Sequence, residues 1–158
     1  MDIQEDQFFM QAALAQAALA AQQDEVPVGA VIVGPDGTLI ATAYNQTEQL
    51  HTQAAHAEML ALAAAGNARG DWRLDDCWIY VTLEPCAMCM HAIALSRIAG
   101  VVYGAASPLY GYQLDKYGRF SLYQWPMIIK VGVCADEAAQ ILKVFFKKRR
   151  KRGKGDQS

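Results

Sequence analysis

The spacing of apolar residues changes several times along the chain, and each change marks an element. Residues Asp6 to Gln23 mix Ala, Leu and Gln in a helix-forming stretch, whose alanines leave a small-residue face for close packing. Pro27 is expected to end that helix. "VGAVIV" (Val28 to Val33) is a continuous, largely β-branched run and predicts a buried strand. "GPDGT" (Gly34 to Thr38) is a turn: Pro35 fixes φ, and Asp36-Gly37 tolerates the positive φ of a tight reversal. "LIATAYN" returns as the second strand of a hairpin. A polar loop from Gln46 to Gln53 leads to a second helix, from near His56 to about Gly66. Beyond the loop "GNARGDWRLDD", the segment "CWIYVTLE" (Cys77 to Glu84) reads as a third strand, broken by Pro85. "CAMCMHAIALSRI" then has helical spacing and opens directly after that proline. "GVVYGAAS" is a fourth strand and "PMIIKVGVCA" (Pro126 to Ala135) a fifth. A last amphipathic helix follows, with Asp136 as N-cap and Ala138, Ile141, Leu142 and Phe145 on one stripe. Strands alternating with helices predict an α/β fold, a mixed sheet opened by the hairpin with helices on both faces.

Composition keeps this picture simple. At 158 residues the chain fits one domain, long enough to bury roughly 68–70% of its unfolded surface. With 53% hydrophobic and 19% charged residues it reads as a soluble globular protein. No apolar run approaches the roughly 20 residues of a membrane span. Asp2, Glu5 and Asp6 make the N-terminus unlike a secretory signal. A cytoplasmic location is therefore expected, where the four cysteines serve as thiols or metal ligands rather than disulfides. The net charge of −2 hides an asymmetry. Residues 1–146 carry seven basic and 15 acidic side chains, whereas residues 147–158 carry seven basic ones and Asp156. The expected organisation is a domain over 1–146 and a basic C-terminal tail over 147–158. Such a tail is either a grip on a polyanion or a solvated helix end.

Two weak signals carry the chemistry. His56 and Glu58 in "HAE" are two residues apart, about 200° around a helix, and cannot both reach one metal from a regular helix. At the very first turn, however, His56 can point off the helix end while Glu58 leans over the same spot. Cys86 and Cys89 in "PCAMC" alone suit a redox pair, half a zinc ribbon or ordinary core residues. Together, one His and a C-x-x-C pair at two helix starts supply three donors for Zn2+, and a catalytic site leaves the fourth position to water. Cys77, Cys134, His51 and His91 are poor candidates for a fourth ligand. Zinc in such a site lowers the pKa of its water towards neutrality, and Glu58 is then the proton shuttle.

The combination "HAE…PCAMC" resembles the signature of zinc-dependent nucleobase deaminases. More closely, "EVPVGAVIV", "YN", "HAEMLAL", "WRL", "IYVTLEPCAMC", "SRI", "VVYGA" and "FFKKRRK" are similar to the bacterial tRNA adenosine deaminases, in the same order from about Val26 to Arg150. The resemblance implies a three-layer α/β/α, cytidine-deaminase-like fold with a five-stranded mixed sheet. It implies one Zn2+ per chain on His56, Cys86 and Cys89, with Glu58 as general acid/base. Asn45 would hydrogen-bond the nucleoside, and the backbone of Ala57 and of Val28 to Ala30 would shape the base pocket. Phe145 and Phe146, just before the basic tail, are expected at the core or pocket edge. The resemblance also implies a homodimer acting on the wobble adenosine of a tRNA anticodon stem-loop; the lack of a spanning apolar run adds the expectation of no membrane partner.

One segment departs from the family pattern. Where the family carries a charged "R-D-x-K-x-G-A" segment that contacts the anticodon loop, this chain has Ser107, Pro108, Leu109 and Tyr110, and its next basic residue is Lys116. That change and the acidic body point to a rival substrate, a free base or nucleoside such as guanine or cytosine. The basic tail points to tRNA. Tyr110, Tyr112, Tyr117 and Phe120 either stack on splayed bases or pack an interface or the pocket; packing is the expectation adopted. Glu84 is expected to cap the helix that Pro85 opens, and Cys77 and Cys134 to act as small hydrophobes. A zinc-stabilised binding module without catalysis would lack Glu58 or fill the fourth position.

Overall fold

The computed structural model describes residues 2–112 and 125–155. Strands β1 (Gly29–Val33), β2 (Leu39–Tyr44), β3 (Trp78–Leu83), β4 (Gly100–Ala105) and β5 (Ile128–Val131) form one sheet in the order β2-β1-β3-β4-β5. The hairpin β1–β2 is antiparallel and β1 runs antiparallel to β3, whereas β3, β4 and β5 are mutually parallel. The expected mixed sheet of five strands is therefore present. The unbroken apolar runs of β1, β3 and β4 reflect burial on both faces. Period-two alternation divides them. Val31, Val33, Tyr80 and Val102 face helix α1 (Ile3–Gln22), packing on its Phe9, Met10 and Ala13, and helix α5 (Ala135–Gly155) joins that layer through Ala138. Ala30, Ile32, Ile79, Val81 and Val101 face the opposite layer, made by helix α3 (Ala57–Arg69) with Ala61, Leu62 and Ala65, and helix α4 (Ala87–Leu95) with Met90 and Ile93.

Glycine sets how closely α1 approaches. A Cβ on Gly29 would overlap the Ala13 carbonyl oxygen and lie 2.6 Å from the Ala17 nitrogen. The alanine face expected of α1 therefore seats directly on the β1 backbone. Asp6 pins the layer laterally, accepting from the Tyr80 hydroxyl (2.9 Å) and from Lys130 Nζ (2.6 Å), so one buried carboxylate ties α1 to β3 and β5.

Several boundaries differ from the sequence expectation, each for a local reason. Helix α1 starts at Ile3, capped by Asp2 in a reciprocal box with Glu5. It stops at Gln22, where Asp24 takes φ 61°, well before Pro27. Part of the expected loop 46–53 is a single helical turn, α2 (Thr47–Leu50). Helix α3 continues through Gly66 to Arg69, because the left-handed stop is Gly70 at φ 68°. Strand β5 is shorter than Pro126 to Ala135, since Gly132 at φ 83° turns the chain out of the ladder. Asp136 lies in the first turn of α5 rather than at its cap. The buried stripe of α5 includes Ala138 and Phe145, with Ile141 and Leu142 half-buried, and the helix runs unbroken across the 146/147 boundary to Gly155.

Candidate metal and active site

Both loops that open onto the site end in a helix N-cap. His56 caps α3 with extended backbone (φ −65°, ψ 150°), and Cys86 caps α4 likewise (φ −72°, ψ 169°). Neither uses its side chain for capping. The side chains are thus free to converge, and Cys89 follows from the first turn of α4. His56 Nδ1 lies 3.7 Å from Cys86 Sγ and 3.4 Å from Cys89 Sγ. The three donor atoms sit within 4.8 Å of one another, the one such cluster among the described residues. Because His56 is outside the helical turn, the two-residue spacing no longer separates it from Glu58. Glu58 is buried in the first turn of α3, close enough to His56 and Cys89 for their protonation to be linked. The positive ends of both helices favour anionic donors at this point.

The protonation pattern suits a metal. Hydrogen bonds from the Cys89 thiol and from His56 pull Cys86 down to about 4, despite burial. As the donor to Cys86, and also buried, Cys89 is pushed far up. Its bond to Cys86 and the charge of Glu58 raise His56, against burial. These groups thus share protons that a divalent cation would displace on binding. Burial pushes the Glu58 carboxyl up to about 7, against a backbone hydrogen bond and the charge of His56. A carboxyl in that range exchanges protons readily near neutral pH.

Asn45 is buried at the end of β2. Its Nδ2 donates to the Val26 carbonyl (3.3 Å), and its Oδ1 has no partner among the described residues. An unpaired buried acceptor is costly and rare. Val28 is half-buried against the α3–α4 core, and its carbonyl accepts from the Asn45 backbone (2.9 Å). Ala57 is fully buried at the start of α3. Phe145 is buried in α5, edge-on to Phe146 and beneath Arg149, so its ring partners among the described residues belong to the helix itself.

Glu84 has a different role from the expected cap. Its carboxylate accepts from the Ser107 backbone (2.9 Å), while Cys86 is the N-cap of α4. A Cβ on Gly111 would overlap that carboxylate, and Gly111 bridges to Cys86, so the loop from Ser107 lies directly beside the donor cluster. Tyr110 is 77% exposed on the single chain, with Leu109 beside it at 75%, so neither packs within the chain. Tyr112 does pack, edge-on to Tyr103. Gln113, Lys116, Tyr117 and Phe120 lie outside the described residues. Cys77 is buried with Arg69 Nη1 at 2.8 Å, Cys134 is half-buried, His51 is exposed and His91 half-buried.

Sequence reasoning missed Glu25. It is fully buried, and its carboxylate accepts from Gln49 N (2.7 Å), Glu48 N (3.1 Å) and Thr47 Oγ1 (3.4 Å). A lone acid after a polar helix end carries no signal that separates it from a solvated one.

The profile of the "Cytidine and deoxycytidylate deaminase zinc-binding region" matches residues 3–105. A "tRNA-specific adenosine deaminase" of Streptococcus pyogenes serotype M18 (strain MGAS8232) is 38% identical over 160 aligned residues, covering 96% of each chain. A solved structure from work on A-to-I editing by tRNA:A34 deaminases at the wobble position of transfer RNA superposes with a TM-score of 0.77 at 38% identity, covering 85% of this chain and 99% of that one. A guanine deaminase from Nitrosomonas europaea shares the fold, with a TM-score of 0.78 at 23% identity over 88% of this chain and 83% of that one. By profile match, extended identity and a donor cluster formed at two helix starts, the chain belongs to the zinc-binding cytidine and deoxycytidylate deaminase family, alongside the tRNA-specific adenosine deaminases.

Proposed function

We propose that this chain is a zinc-dependent hydrolase that converts adenosine to inosine at the wobble position of a tRNA anticodon loop. The observation that carries this reading is the convergence of His56, Cys86 and Cys89 within 4.8 Å, with buried Glu58 beside them, in a chain so extensively similar to tRNA-specific adenosine deaminases. His56 Nδ1, Cys86 Sγ and Cys89 Sγ hold one Zn2+ per chain. Two thiolates with a neutral imidazole balance its charge, and the set of three fits a site that keeps one position open. When bound, the ion supplies a water acidic enough to react near neutral pH. Glu58 carries a proton on a carboxylate oxygen from the nucleophile to the amino group leaving C6 of adenine, so that water is consumed and ammonia released. Asn45 Oδ1 accepts a hydrogen bond from the nucleoside. Ala57, Val28 and the edge near Phe145 shape the walls.

The basic stretch 147–158 acts as a grip on phosphates, distinct from the catalytic domain over 1–146. Its support is the pairing of Arg152 with Asp24 (3.1 Å), which brings the cationic end of α5 next to the segment that holds Asn45. Exposed Tyr110 and Leu109, anchored beside Cys86, offer unpaired bases an apolar rim where the family carries charges. A homodimer through the outer face of α4 is supported by exposed Met88 and Leu95 on a helix apolar all round. No helix among the described residues is long and apolar enough to cross a membrane, and a cytoplasmic location is part of the same proposal.

The test is incubation with an anticodon stem-loop bearing adenosine at the wobble position. Inosine should appear on sequencing, with about one zinc per chain by elemental analysis. Absence of inosine together with ammonia release from free guanine or cytosine would replace this reading with the free-base one.

A further inference from the structure

Glu25 is a buried carboxylate that the chemistry above does not use. It is fully buried, and the groups that donate to it lie in the α2 turn. Those donors fall two to four residues after Asn45 in the chain. The segments on either side of this contact are joined by further bonds. Val26 O accepts from Asn45 Nδ2 (3.3 Å) and Val28 O from Asn45 N (2.9 Å). The Gln46 backbone then donates to Ala55 O (3.0 Å), one residue before His56. Residues 25–28 thus form a rail. Asn45 is clamped to it directly, and the turn after Asn45 is clamped to it by the Glu25 carboxylate. A carboxylate accepting backbone N–H donors makes charge-assisted bonds, about twice as strong as neutral ones.

We infer that Glu25 is a positioning residue for substrate recognition, holding the α2 turn so that Asn45 Oδ1, without a partner among the described residues, is kept for the nucleoside. Without it the turn is free to shift, and Asn45 can satisfy its amide within the protein. This inference rests on the nucleoside reading of Asn45 given above. Glu25 acts through Asn45, so its loss should appear in KM and leave the metal donors undisturbed.

A double-mutant cycle tests the inference on the full-length zinc protein. Glu25→Gln should raise KM for the wobble-adenosine stem-loop about tenfold, with zinc content and kcat within twofold of the parent. In an Asn45→Ala background the same change should raise KM less than twofold. Equal effects in the two backgrounds, or no effect in either, would overturn the inference and leave Glu25 a stabilising residue only. Glu25→Asp, which keeps the charge but shortens the reach, serves if the Gln variant does not fold, and the same cycle decides it. Amide hydrogen exchange needs no turnover: Glu48 and Gln49 should lose protection in the Glu25 variant, and the Asn45 side-chain amide resonances should move. Unchanged protection and resonances overturn the inference, whereas a parent protein that makes no inosine overturns only the proposed reaction.

Discussion

Replacing Asn45 with alanine separates a substrate contact from a turn residue, because the two roles predict opposite changes. Among the described residues the side chain makes one bond, Nδ2 to Val26 O at 3.3 Å, and Val26 O keeps a second donor, Val28 N at 2.8 Å. Truncation therefore strands no buried partner. Losing a neutral hydrogen bond costs about 0.5–1.5 kcal/mol, and deleting the unpaired buried Oδ1 relieves a desolvation cost of about 1–3 kcal/mol. These nearly cancel, so stability should change by no more than about 1 kcal/mol, a midpoint shift of about 2–4 °C in a domain of this size. Binding behaves otherwise. A nucleoside donor that loses its acceptor in a buried site forfeits about 1–3 kcal/mol, a roughly 5- to 150-fold fall in kcat/KM. Thermal unfolding by circular dichroism and steady-state deamination of the stem-loop measure the two effects on one preparation. A melting point lowered by more than about 8 °C with kcat/KM unchanged would make Asn45 a structural strand-end residue and refute the assignment.

Other perturbations probe other parts of the site. Glu58→Gln keeps the shape of the side chain but not its proton traffic, so kcat should fall about 10²–10⁴-fold while elemental analysis still finds zinc. Full turnover in that variant would remove Glu58 from the chemistry. Removing residues 147–158 should weaken stem-loop binding and flatten its salt dependence, by about 0.7–0.9 in the log–log slope for each phosphate the shortened chain no longer neutralises. An unchanged slope in a filter-binding titration would make the basic stretch a bystander. Gly29→Ala forces a Cβ into the Ala13 carbonyl and the Ala17 amide, both backbone and unable to turn aside. It should cost about 1–3 kcal/mol in urea denaturation, and an unaltered midpoint would contradict the α1–β1 contact.

Patterns with a local cause were legible in the sequence. Two-sided burial writes itself as unbroken apolar runs, so Val28 to Val33, Cys77 to Glu84 and Gly100 to Ser107 read as strands, and each contains one. Asp36-Gly37 marks the hairpin because a tight reversal needs positive φ there, and Gly37 takes φ 78°. The residue types of "HAE" and "PCAMC" limit the chemistry, since thiols and imidazole are donors for very few ions. Tertiary structure decided what depends on distance across the fold. Only packing brings His56 Nδ1 to 3.4 Å from Cys89, because the two are 33 positions apart with a strand between them. Only packing buries Glu25 and gives it the amides of α2 as partners. It likewise turns Glu84 towards Ser107 rather than the helix it precedes, and leaves the Tyr110 ring exposed on the single chain. A carboxylate or an aromatic ring has the same local signal whether buried or exposed, and what distinguishes the cases is which distant backbone comes to meet it.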